Sequence, residues 1–140
     1  MTDNSGNSVI DTLVASSPVE VQIVEESEGE LDAKNCLGIY YHGHGVIKIL
    51  KDLRPYETLA VLAHEIGHVN CCNKRCECFM SRDNDMKERH AWTYALRWLL
   101  RHGQEEALEF GMFCISSYLS GNYIDIDLWT ECTSYLKNGE

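Results

Sequence analysis

The residues best placed to do chemistry stand in the stretch LAVLAHEIGHVNCC, residues 59–72. His64, Glu65 and His68 form an H-E-x-x-H pattern. On a helix, residues four apart lie one above the other on one face, so His64 and His68 can offer two imidazoles to a single ion. Glu65 falls to the side of that pair, where a carboxylate can act on a water without occupying the metal. That is the physical reason the spacing recurs in zinc peptidases. The plain alternative is a helix that carries two histidines by accident. Its setting argues otherwise. Leu59, Val61, Leu62, Ala63, Ile66 and Val69 make the segment apolar, and histidines in a buried helix need partners.

A catalytic zinc site needs a third protein ligand, with the fourth position left for water. Further along, Ala91, Trp92, Ala95 and Leu99 form an apolar stripe at helical spacing, and Glu88 precedes Ala91 by three residues and Trp92 by four, on the same inward face. A carboxylate on such a face is costly unless it is paired or bound to metal. Glu88 is therefore the candidate third ligand, and a salt bridge to a nearby Lys or Arg is the competing role. His90 lies about 200° round the helix from Glu88 and points elsewhere. Asp83 and Asp85 suit helix caps.

The elements that must position these groups can be read along the chain. Residues 1–17 read as a loose, flexible segment, and residues 18–140 as one domain. VEVQIV (19–24) alternates Val19, Val21 and Ile23 with polar neighbours, a strand signal. LGIYYHGHGVIKIL (37–50) reads as two strands around a glycine-rich turn at Gly43–Gly45. A helix then starts near Pro55 and runs to about Asn70. CCNKRCECFMSRDND breaks the periodicity and reads as a loop. Further helices are expected from Asn84 to His102, ended by Gly103, over 104–121, and over 127–137 with Asp125 or Asp127 as cap. Strands first and helices after is an α+β layout: a small antiparallel sheet packed on a helical layer.

Taken in order, LAHEIGH, a loop and ERHAWTYALRWLL resemble the ImmA/IrrE family of zinc metallopeptidases, a gluzincin-like group of phages, mobile elements and their bacterial hosts. The matching residues are His64, Glu65, Gly67 and His68, then Glu88, Ala91, Ala95, Leu99 and Leu100. The hairpin sequence before the first helix is similar too, so the resemblance spans about residues 37–100. It implies a zincin fold with the metal between two antiparallel helices, one zinc ion and cytoplasmic endopeptidase activity. The implied substrate is a helix-turn-helix repressor or similar regulatory protein. In that reading His64, His68 and Glu88 hold the ion, Glu65 is the catalytic base, and the strand GVIKIL accepts the substrate as an added strand. The group that steadies the oxyanion is open among Tyr56, His90 and Tyr94; His42 and His44 read better as a polar hairpin tip. Two departures stand out: LLRHG where the family often places Pro after LL, and the cysteine-rich loop.

Composition limits the remaining readings. The chain has 140 residues, is 44% hydrophobic, and carries a net charge of −10. Residues 1–35 alone hold eight acids and one base. An acidic chain is a poor direct binder of nucleic acid, whose phosphates call for Lys and Arg. No apolar run approaches a membrane span, and the polar start does not read as a secretory signal. Seven cysteines, an odd number, read as free thiols in a reducing compartment. Cys71, Cys72, Cys76 and Cys78 cluster and offer a second metal site or, beside Lys74 and Arg75, a redox-sensitive thiol. A zinc-bearing but inactive binding protein of a phage or mobile element is the functional alternative.

Overall fold

A computed structural model of the chain describes residues 5–24, 37–41, 45–51, 53–73, 84–118 and 125–138. Among the described residues, three strands and five helices make a small α+β fold. The strands are β1 (Glu20–Val24), β2 (Gly38–Tyr41) and β3 (Val46–Leu50). The helices are α1 (Ser5–Ser16), α2 (Pro55–Asn73), α3 (Asn84–Arg101), α4 (Glu105–Tyr118) and α5 (Ile126–Asn138).

The HEIGH helix is the centre of the molecule. α2 packs on α1, α3 and α4, and on β2 and β3. Its sequence requires such a position: Leu59, Ala60, Val61, Leu62, Ala63, Ile66 and Val69 are all buried, and a helix apolar on most of its circumference has to be surrounded. Pro55 opens it, and the Glu57 carboxylate accepts a hydrogen bond from the Arg54 backbone N–H at 2.9 Å, half of a capping box. α3 lays Ala91, Trp92, Ala95, Leu96 and Leu99 into the same core. It stops at Gly103, whose φ of 64° is the left-handed conformation that closes helices. α5 is capped by Asp125, whose Oδ1 accepts from the N–H groups of Asp127 at 2.9 Å and Leu128 at 3.2 Å.

The sheet differs from the antiparallel expectation. β2 and β3 pair antiparallel as a hairpin, but β1 pairs parallel with β3, so the sheet is mixed and its order is β1-β3-β2. Local alternation marks a strand without saying which neighbour it takes, and the parallel partner of β1 lies some twenty residues away in the chain. The correction bears on function. β3 is the central strand, hydrogen-bonded on both sides, so GVIKIL has no free edge for a substrate strand; the edges are β1 and β2.

Part of the 1–17 segment expected to be flexible is ordered. Ser5–Ser16 is helical, and it packs on α2 through Leu13, fully buried, with Val9 and Ile10 beside it. A helix of twelve residues is marginal in water by itself; this one exists because its apolar stripe has a core to enter. None of the described helices is long and apolar enough to cross a membrane.

Candidate metal centre

α2 and α3 meet where the sequence has removed a side chain. A Cβ on Gly67 would lie 2.5 Å from the Ala91 carbonyl oxygen and 2.8 Å from its Cα. Glycine at 67 and alanine at 91 let the two backbones touch, which brings Glu88 of α3 within reach of both histidines of α2.

The Nε2 atom of His64 lies 2.6 Å from Glu88 Oε2, and Nε2 of His68 lies 3.4 Å from Glu88 Oε1. Each imidazole thus faces one oxygen of the same carboxylate. The other nitrogen of His64, Nδ1, lies 3.2 Å from Glu65 Oε2. Glu65 is only 5% exposed, and it is the single buried charged side chain among the described residues. His64, Glu65 and His68 each place one ligand atom within 4.8 Å of the others. This His–Glu–His group could hold a metal ion, and the Glu88 carboxylate borders it as a further oxygen ligand. Two neutral nitrogen donors and a carboxylate form a set that suits zinc and its neighbours in the first transition row.

The charges of the group act on one another. Burial pulls the His64 pKa down, but the carboxylates of Glu65 and Glu88 outweigh burial and lift it to about 9. For Glu88 burial raises the pKa, and the hydrogen bonds and charges of His64 and His68 overcome that and hold the carboxyl well below the usual carboxylate range. The metal-free site therefore pairs an imidazolium with carboxylates. A metal ion would take the place of the His64 proton.

Trp92 is a member of the site that sequence reasoning assigned only to the core. Its indole stacks on the His64 ring, with centroids 4.2 Å apart and planes 16° apart, and it is almost fully buried. With His68 edge-on at 4.7 Å on another side, the His64 ring has little freedom to turn. The signal was present in the sequence: Trp92 stands four residues after Glu88, so the residue that offers the carboxylate and the residue that packs the histidine share one face.

The other sequence candidates fall elsewhere. Tyr56 packs edge-on against Phe110 at 5.8 Å, and its hydroxyl meets Arg54. His90 and Tyr94 line a separate cavity on the opposite face of α3 from Glu88. Cys71 lies in that cavity too, its Sγ 3.6 Å from His90 Nδ1. The side chain of Cys72, and His42, His44, Cys76, Cys78, Asp83 and the Asp85 side chain, lie outside the described residues. Compared with known proteins, the chain matches no family model, no curated protein and no solved structure.

Proposed function

We propose that this protein is a zinc-dependent endopeptidase that holds its ion with His64, His68 and Glu88 and uses Glu65 as general base. The observation that carries the reading is the convergence of two α2 imidazoles on one α3 carboxylate, with a second, buried carboxylate beside them. A core-facing Glu88 needs a partner, and among the described residues its partners are the two histidines, not a lysine or arginine.

Zinc bound there would lower the pKa of its water to about 7 and polarise the scissile carbonyl. Glu65 takes a proton from the attacking water and returns it to the departing amine as the C–N bond breaks. Its carboxylate lies within 4.8 Å of a ring nitrogen of each histidine, close enough to serve that water. Trp92 holds His64 in line. The open backbone edges of β1 or β2, not β3, are the places where an extended substrate could add as a strand. The resemblance to ImmA/IrrE peptidases supports a helix-turn-helix repressor or similar regulatory protein as substrate.

Glu65 also touches Nδ1 of His64, and that contact favours a second role, orienting the ligand from behind. One variant separates the two. If Glu65 is the base, Glu65→Gln keeps one zinc per chain by elemental analysis while cleavage falls by about 10²–10⁴-fold. Loss of zinc in that variant would assign Glu65 to orientation, and unchanged turnover would remove it from the chemistry. Zinc that survives both His68→Ala and Glu88→Ala would refute the three-ligand site. A wild type that binds zinc but never turns over a captured partner would point to the inactive binding protein instead.

A further inference from the structure

The face of α3 turned away from Glu88 carries a second concave site. A cavity of about 430 Å³ lies between α2 and α3, lined among others by Asn70, His90, Tyr94, Arg97, Trp98 and Arg101. That volume is in the range of small-molecule pockets. On a 100° period Arg97 stands half a turn round from Glu88, so the Gly67–Ala91 contact separates this cavity from the metal group.

Its chemistry is the reverse of the metal group's. In a chain of net charge −10, two guanidinium groups open onto one cavity, four residues apart on one helix face. Like charges at that spacing disfavour the helix, and an anion between them removes the penalty. Among the described residues the one ion pair of Arg97 is a loose one with Asp125, 4.0 Å away and largely exposed. Among the described residues Arg101 has no acidic partner. Guanidinium groups bind carboxylate and phosphate oxygens with two parallel hydrogen bonds. Beside them the cavity is aromatic: Tyr94 is hydrogen-bonded to Asn70, and Trp98 is held by His102 stacked on it at 3.8 Å.

We infer that this cavity binds a small organic oxyanion, a carboxylate or phosphate ester on an aromatic or apolar body. The charged end is held by Arg97 and Arg101, and the body lies against Trp98 and Tyr94. The site is independent of the proposed peptidase chemistry, since none of its groups belongs to the metal set.

Calorimetric titration of the full chain at low ionic strength tests it with three probes: phenyl phosphate, benzoate and inorganic phosphate. Saturable binding is expected for phenyl phosphate or benzoate, and the stronger of the two identifies the head group. Inorganic phosphate should bind about tenfold more weakly, because it lacks the ring. Arg97→Gln with Arg101→Gln should weaken binding at least tenfold, Arg101→Gln alone should weaken it in part, and His68→Ala should leave it unchanged. Absence of saturable binding at millimolar probe, or binding that survives loss of both arginines, overturns the site. Binding lost in His68→Ala would assign the anion to the metal group and overturn it too. Equal binding of inorganic and phenyl phosphate would overturn the aromatic half of the assignment.

Discussion

One helix pair presents two histidine-bearing faces that have opposite chemistry. On one side of the Gly67–Ala91 contact, His64 is gripped at both nitrogens by carboxylates and packed under an indole. On the other, His90 sits beside a thiol, in a cavity that two arginines also line. The first face gathers carboxylates around imidazoles and the second gathers guanidinium groups, although both belong to the same acidic chain. Net charge therefore says little about either. What decides is which residue types the 3.6-residue period stacks on each face, and the small-residue contact that keeps the faces apart.

The largest perturbation should break both faces together. Gly67→Ala gains up to about 1 kcal/mol of helix propensity. It also drives a methyl group into the Ala91 backbone, and overpacking of that kind costs about 3 kcal/mol. The expected result is a net loss of stability in denaturant unfolding, with zinc retention and anion binding both impaired. A variant as stable as wild type would mean that the crossing is not tight.

Removing the metal should set the first face against pH. The raised pKa of His64 adds stability that is fully present below about 6.5, its unfolded value, and is lost as pH rises through about 9. Glu88, whose pKa is depressed, adds stability present above its unfolded value and lost on acidification through its folded one. The metal-free protein should thus melt highest in mildly acidic buffer and lose on the order of 1 kcal/mol per pH unit between about 6.5 and 9. Zinc affinity should rise over the same interval, because the His64 proton competes with the ion. A flat melting profile after chelation would show that the imidazolium is not paired as described.

Glu88→Gln sharpens the contrast with the smallest expected effect. It takes a proposed ligand carboxylate from the ion, so zinc should be lost at lower chelator concentration than in wild type, while phenyl phosphate binding on the far face stays within twofold. If both ligands weaken alike, the faces are coupled and the division between them fails.

Part of this could be read from the sequence because the relevant signals are local. His64, Glu65 and His68 sit within one turn and a half of helix, and Glu88 betrays itself as an acid on an apolar stripe. Gly103 and Asp125 mark helix ends by side-chain chemistry alone. Other features depend on partners far along the chain. β1 shows alternation but not its parallel pairing with β3, so the substrate edge was assigned to a strand that is covered on both sides. α1 was missed because Ser5 to Ser8 look like a loose start, and Leu13 finds its contacts only on α2. The second cavity left no trace in the sequence, since Asn70 and Arg97 become neighbours only once Gly67 has let the helices close.

The central position of β3 has a consequence for how the chain keeps clear of its own copies. VIKIL is short, apolar and β-branched, with Val46, Ile47 and Ile49 buried, the kind of segment that seeds intermolecular stacking when an edge is open. β2 covers one edge as the neighbouring strand of a hairpin. The other is covered by β1, which pairs with β3 from 26 residues earlier in the sequence. A change that frees β1 from the sheet would bare that edge, so the parallel pairing of β1 with β3 is what keeps an apolar strand from pairing with another copy of the chain.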